Sequence, residues 1–351
     1  MWAVRRHFPQ ARLTFLGDRH PRRNLVLAED LLAGAGIFDE FLSYPVEQAR
    51  AGAWTRPWRM AALLMELRRR RFDCLVYLAP SLRTPRQLRR DRWFFSAAGI
   101  PRICGFSQFP QFPAKGPGGA LPAVPSEADL LLARVAADGV ATPPRGEGCF
   151  DLNLGSSEDQ AVASWLGEQP GDGNRPWIGV GPGSKMPAKR WPVERFAEVA
   201  SALIASHRVW PVVFGGPEDQ DVGAKLIEGW GCGYNAAGHL AVRPAAAALK
   251  KCHLYLGNDT GTMHLAAAGG VACAAIFSSR DHPGRWYPAG PGHSVFRTGI
   301  DCEGCRLTDC AVRGMECLDR ISAREVLAGC RAALETGSHR RTPNHAGPDI
   351  Q

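Results

Sequence analysis

Long apolar runs are missing from this sequence. The longest stretch that is both apolar and free of charge, residues 265–277, has 13 residues, against the roughly 20 that a membrane-spanning helix needs. The opening Met1-Trp2-Ala3-Val4-Arg5-Arg6 has no apolar segment behind its charges, so neither a signal peptide nor an anchor is expected and the expected location is the cytoplasm. No zinc-finger, homeodomain or aromatic RNA-binding signature stands beside the basic residues, which argues against a nucleic-acid partner. At 351 residues the chain is no small disulfide scaffold, and its odd count of eleven cysteines argues against complete pairing. Hydrophobic residues at 45% and charged residues at 22% exclude disordered and collagen-like compositions.

What is present is unevenly spread. The net charge is +8, and between residues 50 and 102 thirteen arginines and no lysine stand against Glu66, Asp73 and Asp91. Such a stretch is either a solvated surface or the docking ground of an anionic partner: an acidic or phosphorylated acceptor, or an anionic membrane surface. Seven cysteines (Cys74, Cys104, Cys149, Cys232, Cys252, Cys273, Cys330) are scattered, mostly among apolar neighbours, as small core residues would be. The other four, Cys302, Cys305, Cys310 and Cys317, fall within sixteen residues.

Strand-like and helix-like segments alternate along the chain. Residues 12–16, 41–44 and 74–78 read as strands, the last as a fully buried parallel strand between Asp73 and Pro80; 24–33, 57–71 and 127–137 read as helices, with Met60, Leu63, Leu64 and Leu67 forming an apolar stripe. Residues 105–125, rich in Pro, Gly and Phe, read as a long loop. A second series follows the polar segment 171–176: strands at 177–180, 209–214, near Tyr234, at 253–256 and 271–277, and helices at 192–205, 218–228, 243–251 and 262–268. Ser322 and Glu325 form a capping box opening a last helix to about Leu334. Alternation of this kind predicts an α/β protein with two doubly wound, Rossmann-like domains. The expected division is 1–170, 171–335 and a disordered tail over 336–351.

Ligands of doubly wound sheets sit at the carboxyl ends of the strands, where three loops carry chemistry. Gly181-Pro182-Gly183-Ser184-Lys185, running to Lys189-Arg190-Trp191-Pro192, joins small residues that let backbone approach a ligand to two lysines; it is a phosphate site or an ordinary Gly/Pro turn, and it lacks the Walker spacing. Gly257-Asn258-Asp259-Thr260-Gly261-Thr262 aims backbone N–H groups at one point at a helix start, with His264 on the same helix face as Thr260. Asp259 there is a helix N-cap or a sugar-hydroxyl ligand, and His264 a core histidine or a site residue. Gly215-Gly216-Pro217-Glu218-Asp219 offers carboxylates to ribose hydroxyls or simply to a helix N-terminus. Asp219 and Asp221, two apart at a helix start, point to different faces, so a catalytic metal is not expected there.

In this order and spacing the loops resemble glycosyltransferase family 9, the heptosyltransferases of lipopolysaccharide core assembly. The match is carried by Pro182-Gly183-Ser184 with Lys189-Arg190-Trp191-Pro192, by Asn258-Asp259-Thr260-Gly261-Thr262-Met263-His264, and by the four-cysteine segment with Leu318 and the capping-box helix. The resemblance implies a GT-B fold, two Rossmann-like domains facing a cleft. It also implies inverting transfer, with no cofactor required, from an ADP-heptose-type donor to an anionic lipid A–Kdo or inner-core acceptor; any contact with the inner face of the cytoplasmic membrane is expected to be peripheral and electrostatic. By that resemblance Ser184, Lys185 and Lys189 would hold the donor diphosphate, and Thr260, Gly261 and Thr262 would add N–H groups. Asp259 and His264 would orient the sugar and its phosphate, Glu218 or Asp219 would meet the ribose, and Leu240 the base. Lys189 would neutralise charge growing on the leaving nucleotide.

Family members open with a strand and a Gly-Asp loop whose aspartate is thought to deprotonate the acceptor, ahead of a segment like Arg6-His7-Phe8-Pro9-Gln10-Ala11-Arg12. This chain begins inside the intervening helix, so the first strand of the N-terminal domain is expected to be missing and the general base is unassigned; Asp18 has no geometric claim to the role. An upstream natural start is the expected explanation, and a chain beginning at Met1 is expected to be poorly stable and nearly inactive. The spacing Cys302-x2-Cys305-x4-Cys310-x6-Cys317 could form a tetrahedral thiolate metal site, or the four could be reduced structural thiols. Two other functions compete: a GT-B transferase using another nucleotide sugar, and a non-catalytic nucleotide-sugar-binding or scaffold protein.

Overall fold

A computed structural model describes residues 1–18, 26–44, 56–171, 175–310 and 313–338. The chain divides into two units. One comprises Met1–Gly116, Pro122–Leu154 and Pro283–Trp286; the other comprises Pro117–Leu121, Gly155–His282 and the chain from Tyr287 on. Among the described residues no helix is long and apolar enough to cross a membrane.

The first unit runs α1 (Trp2–His7), β1 (Thr14–Asp18), α2 (Ala28–Leu32), β2 (Glu40–Tyr44), α3 (Arg56–Arg70), β3 (Cys74–Val76), α4 (Pro85–Ala97), β4 (Arg102–Cys104) and α5 (Glu127–Ala137). Among the described residues its strands form two parallel pairs, β1 with β2 (Phe15 opposite Phe41) and β3 with β4 (Leu75 opposite Ile103). Three of the four stripe residues pack together: Leu63 and Leu67 of α3 are buried in a cluster with Tyr77, Phe95, Ala98 and Ile100, with Leu64 packed against it, while Met60 is half-buried. The predicted strand 74–78 is shortened to three half-buried residues, because among the described residues β3 has β4 alone to pair with. The helix expected over 24–33 is Ala28–Leu32; residues 24 and 25 lie outside the described residues. No regular element interrupts 105–125, as expected of a loop.

Residues 283–286, expected in the second domain, return to the first. Val124 N–H donates to Pro283 O (2.9 Å), Glu127 N–H donates to Arg285 O (2.9 Å), and the buried Arg285 guanidinium meets Glu127 Oε2 at 2.8 Å. Of the arginine-rich stretch, Arg59, Arg68, Arg69, Arg71, Arg86, Arg89, Arg90, Arg92 and Arg102 are exposed. Glu66 holds Arg69 and Arg70, and Asp91 holds Arg90.

The second unit runs α6 (Ser156–Gly167), β5 (Trp177–Gly181), α7 (Val193–His207), β6 (Trp210–Val213), α8 (Gln220–Trp230), β7 (Tyr234–Asn235), α9 (Val242–Lys250), β8 (Leu254–Asn258), α10 (Gly261–Ala268), β9 (Cys273–Ile276), β10 (Ser294–Phe296), α11 (Glu316–Asp319) and α12 (Ala323–Ser338). Its described strands form one parallel sheet in the order β10-β9-β8-β5-β6-β7. The β5 and β8 side chains Ile178, Val180, Leu254 and Leu256, wholly buried, share a core with Phe196, Val199 and Leu203 of α7 and Val326 and Cys330 of α12. Reciprocal bonds between Ser322 and Glu325 cap α12 as predicted. Of the tail expected to be disordered over 336–351, residues 336–338 instead continue α12, and residues 339–351 lie outside the described residues.

The boundary falls at Leu154/Gly155 rather than in the polar segment at 171–176, because α6 packs on α9. There Arg243 Nε donates to Glu158 Oε1 at 2.6 Å. The Gly155 N–H first, and then Arg243, pull the Glu158 carboxyl down to about 2. Because the folded value lies below the unfolded one, the stabilisation is full above the ordinary glutamate value of 4.5 and is lost as pH falls toward 2. Glu158→Gln should therefore lower the urea midpoint at pH 7 and lower it much less at pH 3. An equal loss at both pH values would contradict the assignment.

Candidate functional site

All strands of the second sheet run the same way, so the loops leaving adjacent β8, β5 and β6 emerge at one edge. Their glycines make room for close contact. Asp219 lies against Gly183 and Gly215, where a Cβ would collide with its carboxylate, so the loops after β5 and β6 interlock. Asp219 also accepts from Gly216 N–H at 3.0 Å, and burial pushes its carboxyl up. Lys185 Nζ stands 3.8 Å from Glu218 Oε1, and Gly238 N–H donates to Gly215 O (3.1 Å), which brings in the loop carrying the half-buried Leu240.

The β5 and β8 loops are clamped by a residue not singled out from the sequence. Asn258, fully buried at the end of β8, donates through Nδ2 to Pro182 O (2.7 Å) and accepts from Trp191 N–H (3.1 Å). Trp191 itself is sealed in the core and donates through Nε1 to Ile321 O at 3.0 Å. Ser184 is buried, its hydroxyl accepting from Met186 N–H and its carbonyl from Arg190 Nε. A polar Asn closing an apolar strand, and a Trp between a basic pair and a proline, were the signals that could have revealed this clamp.

This clamp carries Lys189 to Asp259. Their side chains pair at 2.6 Å, only 16% and 9% exposed, and Nζ also donates to Asp259 O at 3.3 Å. Asp259 is thus not the helix N-cap. That position belongs to Thr260, whose side chain makes no capping hydrogen bond, leaving the first-turn N–H groups of Gly261 and Thr262 available to an anion. The lysine offsets the carboxylate that would otherwise repel such a ligand. His264 Nε2 lies 4.0 Å from Asp259 Oδ1; at 41% exposure it is no sealed core histidine, and desolvation outweighs Asp259 and pushes its imidazole below the ordinary value. One edge of the sheet thus combines two lysines, a helix N-terminus, carboxylates and an apolar residue, an arrangement able to bind a sugar-linked nucleoside diphosphate.

The four clustered cysteines line a single cavity with Ala188, Ser279, Arg280 and Glu303, and all are free thiols. Among the described residues no group of three or more His, Cys, Asp or Glu side chains is placed to hold a metal, so the tetrahedral set allowed by the spacing is not assembled. Burial pushes the Cys317 thiol up. Of the scattered seven, Cys104, Cys252, Cys273 and Cys330 are buried as expected, whereas Cys74, Cys149 and Cys232 are half-buried. Asp18 ends β1, and its side chain lies outside the described residues.

Lipopolysaccharide heptosyltransferase 2 of Escherichia coli is 31% identical over 166 residues, 42% of this chain and 47% of that protein, so the chain spans about half the length of this curated relative. The solved E. coli ADP-heptose lipopolysaccharide heptosyltransferase II superposes with a TM-score of 0.62 at 20% identity, covering 96% of this chain and 93% of that one. E. coli heptosyltransferase WaaC with ADP gives 0.61 at 13% identity over 95% and 93%. These likenesses show the α/β fold of the GT-B class. The model of glycosyltransferase family 9 (heptosyltransferase) matches residues 130–315, more than half of the chain and every donor-loop residue described above, and the chain therefore belongs to that family.

Proposed function

We propose that the second unit binds an ADP-heptose-type donor and that the protein transfers the heptose, with inversion, to a lipopolysaccharide inner-core acceptor. The observation that carries this reading is the Lys189–Asp259 pair beside the uncapped start of α10, which unites two loops seventy residues apart around an anion-binding point. Ser184, Lys185 and Lys189 hold the diphosphate with the N–H groups of Thr260, Gly261 and Thr262. Lys189 meets charge that grows as the nucleotide leaves, and so stabilises the transition state more than the bound donor. Asp259 and His264 orient the sugar and its phosphate, Glu218 or Asp219 takes the ribose, and Leu240 flanks the base. The solved relatives, an ADP-heptose enzyme and one holding ADP, support adenine as the base. The exposed arginines of α3 and α4 suit an acceptor bearing carboxylates and phosphates, and peripheral contact with an anionic membrane through them weakens as salt rises.

The test is transfer itself. Incubation with ADP-heptose and heptose-deficient lipopolysaccharide should release ADP and add one heptosyl mass to the acceptor, at a low rate while no group of the chain is assigned as the acceptor's general base. Transfer from a UDP-hexose but not from ADP-heptose would replace the donor and keep the fold.

A further inference from the structure

Tyr255 is wholly buried in β8, in the middle of the sheet, yet it carries a hydroxyl that must find a partner there. Its ring runs toward the carboxyl edge between Gly181 and Gly257, at both of which a Cβ would collide with the phenol. At that edge the hydroxyl meets Thr262 Oγ1 at 2.7 Å, and Thr262 Oγ1 in turn lies 3.0 Å from Thr260 Oγ1. The last contact, Thr260 Oγ1 to Asn258 O, is a long 3.4 Å. Three hydroxyls thus form a chain from the sealed core to the uncapped start of α10.

The chain has a preferred direction. Either hydroxyl of each pair can donate, and the arrangement that leaves no buried proton without an acceptor has the phenol, at the sealed end, donating to Thr262 and Thr262 to Thr260. The Thr260 proton is then left with only the long carbonyl contact, a weak hydrogen bond, and is free for an acceptor outside the protein. Burial pushes the Tyr255 phenol well above its ordinary value, so it stays a donor throughout the physiological range.

We infer that Tyr255 is a positioning residue for the donor diphosphate: it orders the Tyr255–Thr262–Thr260 hydroxyls so that the outermost proton points at a phosphate oxygen. The inference rests on the donor reading above, with Tyr255 touching no ligand itself. It also accounts for Gly181 and Gly257, since any side chain there would displace the phenol.

Tyr255→Phe keeps the ring and removes only the hydroxyl. Calorimetric titration with ADP of the full chain, of Tyr255→Phe, of Thr260→Val and of the double variant forms a cycle. The expected result is a Kd for ADP raised about 3- to 10-fold in Tyr255→Phe, the size of one lost hydrogen bond. The double variant should bind no more weakly than Thr260→Val alone, because the phenol acts only through Thr260. An unchanged Kd in Tyr255→Phe, or losses that multiply in the double variant, would overturn the role while leaving the donor site standing. Absence of ADP binding by the unaltered, folded chain would overturn the donor reading and this role together.

Discussion

Lys189→Ala should weaken ADP binding by about 10- to 100-fold and lower transfer by a further factor of about 10, the largest functional effect expected of a single substitution here. Two penalties act together. The variant loses the cation that faces the diphosphate, and it leaves Asp259, only 9% exposed, as an unpaired carboxylate at the place where an anion must bind. The extra loss in transfer arises because Lys189 meets charge that grows only as the nucleotide departs. The account makes a sharper statement through a second substitution: Asp259→Asn on the Lys189→Ala background should recover part of the ADP affinity, since it removes the repulsive charge. Calorimetry for binding and initial rates for transfer check both. A double variant weaker than Lys189→Ala would show that Asp259 holds the ligand more strongly than it repels the phosphates.

Trp191→Ala should cost about 3–5 kcal/mol of stability, the range for emptying a large buried aromatic site. Trp191 is 1% exposed and packs edge-on against Phe196 with ring centroids 4.9 Å apart. Its indole N–H satisfies Ile321 O at the entry to α12, and its backbone N–H satisfies Asn258. The same residue therefore joins the core to the loop that carries Lys189, and the alanine variant should lose ADP affinity as well as stability. Trp191→Phe should cost less, about 1–2 kcal/mol, by removing the indole N–H bond and part of the ring volume, while the Ile321 carbonyl still accepts from Arg195 Nη1 at 2.7 Å. Denaturant midpoints of the two variants compare the costs; equal midpoints would mean that packing around the ring contributes little.

The second sheet was largely legible from the chain. β5, β6 and β8 are apolar runs ending in Gly-rich turns, and α7, α8 and α9 carry amphipathic faces at helical spacing, so local pattern and tertiary role agree. The division between the units was not. The polar, Gly-rich segment 171–176 looks like a linker, but α6 belongs with the second unit through Glu158 and Arg243, a partner 85 residues away that no local pattern announces. α4 escaped notice because its arginines mask a modest apolar face, although Thr84, Pro85 and Gln87 spell out a helix start. Residues 283–286 return to the first unit for the sake of the buried Arg285–Glu127 pair, again a long-range event.

In the candidate site the loops themselves were readable, because glycine, lysine and threonine at strand ends have few other uses. Their pairings were not. Asp259 could equally have been a cap or a ligand until Lys189 was found against it, and the exposure of His264 decides against a core role. Tyr255 resembles an ordinary strand residue in sequence, and Asn258 and Trp191 stand in the matched motifs without their partners being legible there; the hydrogen bonds across the sheet show what the three hold. The cysteine spacing allowed either reduced thiols or a metal site, and among the described residues the four are free thiols around a cavity.

The central claim is that the carboxyl edge of the second sheet is a site for an adenine nucleotide sugar, and titration of the protein with ADP, UDP and GDP by calorimetry tests it most directly. The account predicts that ADP binds and is preferred over UDP and GDP, and that Lys189→Ala largely removes the signal. A preference for UDP or GDP, or ADP binding that survives Lys189→Ala unchanged, would contradict it.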